Sequence, residues 1–487
     1  MTGQLNFSQF VFDINRSRPH NIAYIDQQGT ISYHDLETHS CGLAKNFQEL
    51  GIGNGHRIMI VHPDDRRVVI AFLAALMLGA VPVMVNSRCS REYFNHCVEQ
   101  STPSWIISND SNLTLAQSHC PKQTISSDQL DKLIQPGVFQ AVDTHGSSVA
   151  YWLFTSGTTG RPRAVMHSHQ NLRAVGEHYG VITDGMTSSD VVYATAKLSF
   201  AYGICHSLAA TLTSGATAIL TAKLPMPDTI VSTIQQYHPT IFVTVPTVYS
   251  MLINSGLDLG NLGLKHCTSA GEDLSITVQQ KWQTITGIPL FNLYGCTEFS
   301  GCVLANHHGD SAMGTVGRPT HGYSCELRDR DGNLVPQGTI GELWAKGPSL
   351  ALGYHDEPDA FSSGWFRSRD LFYQDQQDRY VFQGRSDDMF KVHGQWVSPI
   401  EIENVLLERA DIIEAGVAGS CTIDGLVEIV AHIVPARGAS LSEGDIQSHV
   451  RRKLDLHKCP KHIRIVDHLP RTINGKLQRS KLESISI

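Results

Sequence analysis

The sequence predicts a layered α/β protein in which α/β and β subdomains form a large N-terminal domain, followed by a small α+β C-terminal domain. Three observations predict this. Short β-rich runs alternate with longer helical patterns through the first half of the chain. Around Arg328-Asp-Arg-Asp-Gly-Asn333 the pattern changes to turns and short strands. Beyond Arg385 a helix and two strand patterns fall within about one hundred residues, the size of an ordinary domain. We place the boundary between residues 385 and 386, giving domains 1–385 and 386–487. A chain of 487 residues, 41% of them hydrophobic, is too long for a single core to be the default.

The elements follow in order. Arg57–Val61 reads as a strand. The strongest apolar run, Val68 to Val85, has the length of a membrane span. Gly79 and Pro82 divide it instead into a helix ending near Leu78, capped by Asp64 or Asp65, and a strand around Val83–Val85. Trp105–Ile107, Ala216–Leu220 and Ile241–Val245 are further strands, the last two separated by a helix over Asp228–Tyr237. This alternation predicts buried, partly parallel sheets. Gly341–Lys346 and Tyr380–Phe382 belong to a smaller sheet. A helix over Pro399–Arg409 then precedes strands at Ala415–Ala418 and Val427–Ile433.

A net charge of -8 and a pI near 6.3 give no electrostatic footprint for nucleic acid. The basic residues between Arg451 and Lys481 are a solvated face or a cradle for polyphosphate or an acidic partner. The eleven cysteines contain no CxxC pair. Their odd number and the lack of a secretory start predict reduced thiols in a cytoplasmic enzyme without stable membrane insertion. Cys267, Cys296 and Cys302 lack supporting ligand spacing, so burial is preferred over metal ligation.

Tyr151–Thr155 can form a strand leading into Ser156-Gly-Thr-Thr-Gly-Arg-Pro-Arg-Ala164. Small residues permit close backbone approach to a phosphate, and hydroxyls and amides donate to it. Thr155, Ser156, Gly157, Thr158, Thr159 and Gly160 are therefore candidate nucleotide contacts, with Arg163 supplying a cation. The run is not GxxxxGK[ST], which removes the main warrant for a Walker ATPase. It resembles the Ser-Gly-Thr-Thr-Gly-x-Pro-Lys-Gly loop of the acyl-adenylate-forming (AMP-binding) enzyme superfamily. Arg163 stands at the lysine, which keeps charge but changes donor geometry. Ala164 stands at the final glycine.

Further segments resemble the same family over Thr155 to Lys476. Phe291-Asn-Leu-Tyr-Gly-Cys-Thr-Glu298 matches its Tyr-Gly-x-Thr-Glu motif. The resemblance implies Tyr294 against adenine, Thr297 donating toward the α-phosphate and Glu298 binding Mg²⁺, a cation that prefers oxygen ligands. Ala270, Gly271 and Glu272 resemble the segment bordering adenine. In Trp365-Phe-Arg-Ser-Arg-Asp370 the family's ribose-binding aspartate is Asp370, with Arg369 where glycine is usual. Arg385 is implied as a second ribose contact and Asp387 as a hinge. Lys476, in Leu469-Pro-Arg-Thr-Ile-Asn-Gly-Lys476, matches the lysine that approaches the substrate carboxylate and α-phosphate.

The resemblance implies a two-step reaction. A carboxylic acid attacks ATP at the α-phosphate, then a thiol displaces AMP from the acyl-adenylate while the mobile C-terminal domain rotates about Asp387. Val392-His-Gly-Gln-Trp396 would then face the thioester step. The thiol acceptor stays open between CoA and the phosphopantetheine of an acyl or aryl carrier protein. Lys197-Leu-Ser-Phe-Ala-Tyr-Gly203 and Gly384–Pro399 look similar to benzoate-CoA ligases. Phe200, Ala201 and Tyr202 line an acyl pocket or pack a core. Gly301 stands where benzoate-specific relatives commonly carry histidine, which points to more volume and a larger acid. His167 has no assigned role, and His169 borders the acyl pocket or bonds within the fold. The sequence leaves the oligomeric state open.

Overall fold

The computed structural model describes residues 3–155, 162–421, 426–436, 438–471 and 477–483. Two large sheets dominate the N-terminal region. In the first, the parallel strands Val149–Thr155, Val81–Met84, Arg57–Val61, Trp105–Ser108 and Thr124–Ser126 lie side by side. Arg163–Ser168 and Gly353–Tyr354 extend it antiparallel beyond Val149–Thr155. In the second, six parallel strands run in the order Leu290–Cys296, His266–Ser269, Ile241–Thr244, Val191–Ala194, Thr217–Ile219 and Ile22–Asp26. Gly301–Ala305 and Arg318–Pro319 add antiparallel strands beside Leu290–Cys296.

The apolar run that has the length of a membrane span is the centre of this body. Helix Arg66–Met77 is buried on all sides, with every residue from Val68 to Leu78 at most 2% exposed. Asp65 caps it by accepting from the Arg67 amide, and strand Val81–Met84 follows with Pro82 in a parallel pair beside Ile58. One hydrophobic core joins this helix to Ile58 and Ile60 of the first sheet and to Tyr24, Ala218 and Leu293 of the second. A helix apolar all round is satisfied by burial between layers. Among the described residues no helix is long and apolar enough to cross a membrane.

Two π-helical segments, Val175–Thr183 and Ile204–Ala210, pack together beside Gly301–Ala305. Gly176 and Gly180 permit that approach: a Cβ at Gly180 would lie 2.5 Å from Ala210 Cβ, and one at Gly176 2.1 Å from Thr213 Oγ1. Such insertions in a helix are frequent at functional sites.

The β-rich portion is a four-stranded antiparallel sheet of Ser324–Arg328, Gly341–Lys346, Phe366–Gln374 and Tyr380–Arg385. The C-terminal unit packs Pro399–Leu407 and Glu443–Arg451 on a three-stranded sheet of Ile412–Cys421, Val427–Pro435 and His462–Ile465. Helix Pro399–Leu407 ends two residues before the expected Arg409. The sequence reading contained neither the helix at Glu443 nor the strand at His462. Ile446 and Val450 are the two buried side chains of that helix, too few to announce it, and Ile463 alternates with basic and polar neighbours.

Gly180→Ala is predicted to overpack the seam between the two π-helical segments. Such insertions destabilise by roughly 1–3 kcal/mol, so a lowered urea midpoint is expected; an unchanged midpoint would show that the seam yields freely.

Candidate active site

The residues on either side of the Ser156–Gly160 run are held by register. Thr155 closes one strand, Arg163 opens the next, and the two residues pair across the ladder. Ser156, Gly157, Thr158, Thr159 and Gly160 lie outside the described residues. Arg163 does not reach into open space. Its guanidinium lies 3.6 Å from the Tyr354 ring centroid and pairs with Asp356 at 2.8 Å and Glu357 at 3.0 Å. The Tyr354 hydroxyl donates to Glu298 Oε1 at 2.7 Å, and Glu298 is only 6% exposed. Thr297 and Glu298 form a short 3-10 turn directly after strand Leu290–Cys296. The Cys296 thiol lies against Glu298, and burial first, then that carboxylate, raises its pKa well above the thiol range.

Tyr294, Asp370 and Arg385 converge from three strands. Tyr294 Oη donates to Asp370 Oδ2 at 2.5 Å, and Arg385 Nη1 lies 3.3 Å from Asp370 Oδ1. Asp370 and Arg385 are register partners. The Tyr294 and Phe372 rings meet in a T-shaped contact, centroids 5.0 Å apart. Arg369 keeps the left-handed backbone that glycine would adopt freely, with φ +62°, a conformation costing about 1–2 kcal/mol for a side-chain-bearing residue. Its carbonyl accepts from the Ser386 amide, and its guanidinium lies 3.7 Å from Asp387. Arg385 Nη2 lies 3.6 Å from the same carboxylate.

Ala270, Gly271 and Glu272 follow strand His266–Ser269, beside the Leu290–Cys296 strand that leads to Tyr294. Glu272 accepts from the Thr247 hydroxyl at 2.6 Å and pairs with Arg471 at 3.2 Å. Next to it, Asp273 accepts from Asn404 Nδ2 at 3.1 Å. Arg471 and Asn404 belong to the C-terminal unit, so that unit docks on the segment that follows strand His266–Ser269. Burial pushes the Asp273 carboxyl up to about 6, Asn404 opposing and Glu403 adding to the shift. Lys476 lies outside the described residues; Arg471 is the last described residue before it.

Phe200, Ala201 and Tyr202 precede the second π-helical segment and are half-buried. Tyr202 Oη is 3.0 Å from Thr268 Oγ1, and the ring meets His206 edge-on. His206 Nδ1 donates to the Tyr202 carbonyl, while Nε2 faces the Tyr179 hydroxyl at 2.7 Å. Cys205, His206 and Cys302 place their ligand-type atoms within 4.8 Å of one another. Both ring nitrogens are already hydrogen-bonded, and burial holds the Cys302 thiol well above its usual pKa, so this cluster is packing. Gly301 does not open a larger space: a Cβ there would meet Val175 Cγ1 at 3.2 Å and Cys205 Sγ at 3.3 Å. His169 accepts from the Phe7 amide at 3.2 Å, a bond within the fold. His167 is fully buried and stacks on Tyr151 at 4.8 Å. Burial lowers its pKa to about 3, which keeps it neutral.

Residues 11–355 match the AMP-binding enzyme family, and residues 401–476 match the AMP-binding enzyme C-terminal domain. The chain belongs to the AMP-binding enzyme family. It is similar to a benzoate–CoA ligase of Thauera aromatica, 35% identical over 485 residues, 95% of this chain and 92% of that protein. Among solved structures, a benzoate CoA ligase from Burkholderia xenovorans LB400 superposes with a TM-score of 0.92 at 34% identity, covering 99% of this chain and 100% of that one. An anthranilate CoA ligase in complex with anthranoyl-AMP gives 0.94 at 27% identity, covering 100% and 98%. This member of the AMP-binding family is thus an AMP-forming acid–thiol ligase of the acyl- and aryl-CoA synthetase kind, which activates a carboxylic acid with ATP through an acyl-adenylate.

Sequence reasoning on this ligase missed Tyr354, Arg471, Asn404 and Asp273. Each acts across a gap of more than fifty residues, and no local motif marks such a pair. Tyr354 had one signal, its place beside the acids that Arg163 needs.

Asp273 also gives a pH prediction. Its folded pKa, about 6, exceeds the ordinary carboxylate value of 3.8, so ionisation works against the folded state as pH rises from near 4 through 6. Asp273→Asn is expected to raise the melting temperature at pH 8, with an advantage that shrinks as pH falls toward 5. An advantage independent of pH would contradict the assignment.

Proposed function

We propose that this chain activates a single-ring aromatic carboxylic acid of the benzoate type and transfers the acyl group to CoA. The observation that carries the reading is the convergence of Tyr294, Asp370 and Arg385 beside Glu298 and the Thr155–Arg163 ladder, together with likeness to benzoate- and anthranilate-CoA ligases. The acyl wall supports a compact acid. Tyr202 and Phe200 offer a flat aromatic surface, and Val175 with Cys205 fills the side on which Gly301 lacks a side chain.

In the proposed arrangement Asp370 accepts from the ribose hydroxyls and Arg385 holds that carboxylate. Tyr294 and the Ala270–Glu272 segment border adenine, and Thr297 donates toward the α-phosphate. Thr155, Ser156, Gly157, Thr158, Thr159 and Gly160 hold the outer phosphates. Lys476 approaches the acid carboxylate and α-phosphate, stabilising charge that develops as pyrophosphate leaves. Glu298 fits Mg²⁺, since it is a hard oxygen donor in a site where substrate phosphates complete the coordination; when bound, the ion would neutralise phosphate charge. The C-terminal unit, 386–487, turns about Asp387 between the two half-reactions, bringing the Val392–Trp396 hairpin toward the thiol.

Purified protein offered benzoate, hydroxybenzoates, anthranilate, cinnamates and medium-chain acids, with ATP and either CoA or holo-carrier protein, identifies acid and acceptor by product mass. A benzoyl- or hydroxybenzoyl-CoA product is expected; a product formed only on the carrier protein, or only from medium-chain acids, overturns the proposal. Lys476→Ala is expected to slow adenylation at least 100-fold, or about 2.7 kcal/mol, while transfer from preformed acyl-adenylate to CoA persists. Equal loss in both half-reactions, measured separately, would remove Lys476 from its assigned step.

A further inference from the structure

The contacts of Arg163 and Tyr354 leave Arg163 facing away from a simple phosphate role. Its guanidinium is held on one side by Asp356 and Glu357 and on the other by the face of Tyr354. The far end of that ring carries the hydroxyl bonded to Glu298, and the two residues are 9% and 6% exposed. We propose that Tyr354 is a positioning residue for the Glu298 carboxylate, clamped from outside by Arg163, so that the phosphate-loop exit and the metal-binding carboxylate are set as one unit. The proposal rests on the reading of Glu298 as the Mg²⁺ ligand.

The backbone is built for this placement. Tyr354 pairs with Val165 in the strand that Arg163 opens, and the His355 amide donates to the Ala164 carbonyl at 2.9 Å. Gly353 precedes it at φ +154°, where a Cβ would lie 2.2 Å from the Pro358 carbonyl oxygen; no other residue fits that turn. On the opposite side, the Ala351 amide donates to the Glu298 carbonyl at 2.8 Å. The 351–355 segment therefore bonds to the first sheet and to the turn after strand Leu290–Cys296 of the second, and the column Arg163–Tyr354–Glu298 joins the two.

The chemistry follows from the bond direction. An ionised carboxylate only accepts, so the phenol donates to Oε1 and restricts how the carboxylate can turn. A carboxylate fixed in this way presents its remaining lone pairs in one direction, which suits the strict octahedral demand of Mg²⁺. Without the hydroxyl the buried carboxylate keeps the Cys296 thiol beside it but loses its strongest orienting donor. Arginine suits the outer clamp because a planar guanidinium can stack on the ring while forking to two acids; lysine can do only part of this.

The test uses the full-length enzyme and measures the Mg²⁺ dependence of acid-dependent pyrophosphate exchange, alongside Mn²⁺ binding to the enzyme–ATP complex by electron paramagnetic resonance. Tyr354→Phe is expected to raise the half-saturating Mg²⁺ and weaken Mn²⁺ binding about tenfold, the scale for losing a hydrogen bond to a charged group, with KM for the acid unchanged. Arg163→Lys should give a smaller shift in the same direction. Glu298→Gln separates the two readings. If it leaves both metal readouts unchanged, the metal assignment of Glu298 fails. If it shifts them while Tyr354→Phe does not, the positioning role is overturned. A Tyr354→Phe change in acid KM with no change in metal dependence overturns it as well. Should Tyr354→Phe fold poorly, Arg163→Lys at the exposed end decides by the same measurements, and an unshifted metal dependence counts against the proposal.

Discussion

The bond from the Tyr294 hydroxyl to the Asp370 carboxylate joins parts of the molecule that no continuous sheet connects. Tyr294 lies in strand Leu290–Cys296 of the larger of the two mainly parallel sheets, whereas Asp370 lies in the four-stranded antiparallel sheet. Arg385, the register partner of Asp370, is the last residue of its strand, and Asp387 follows two residues later. A displacement of Tyr294 would therefore be felt at the Asp370 carboxylate, at the arginine that holds it and at the start of the C-terminal unit. Partly buried, charge-assisted bonds of this kind restrict geometry more than exposed pairs do.

The second constraint is the contact of the C-terminal unit with the segment after strand His266–Ser269. Arg471 meets Glu272 and Asn404 meets Asp273, each joining the two units. Arg471 also pairs with Glu414 of its own unit, so its guanidinium bridges the interface. Among the described residues Arg330 over the Trp396 ring and Ser398 donating to the Gln383 carbonyl also join the two units, and polar interfaces of this kind are ones across which domain motion is the default expectation. A docked state held this way can be left and regained during a catalytic cycle, whereas the dry core around helix Arg66–Met77 cannot.

Much of the fold was legible because it follows local rules. Gly79 splits the long apolar run where the structure splits it, although Pro82 lies inside strand Val81–Met84 rather than before it, and strand Gly341–Lys346 matches its expected bounds. The grouping of Tyr294, Asp370 and Arg385 was legible through resemblance, residue by residue. What remained hidden depends on distance in the chain. The missing side chain of Gly301 suggested room, yet Val175 and Cys205 arrive from segments about 100 residues away or more and fill it. Arg163 suggested a phosphate contact, yet Asp356, Glu357 and Tyr354 claim its guanidinium. A sequence records a side chain's capacity and not its competitors.

Attack of a carboxylate on the α-phosphate of ATP dictates the products, so their stoichiometry reads the reaction out. Phosphorus NMR of a reaction containing ATP, the preferred aromatic acid and CoA should show AMP and pyrophosphate appearing in equal amounts with the thioester, and neither forming when the acid is omitted. Formation of ADP and inorganic phosphate with the thioester would rule out attack at the α-phosphate.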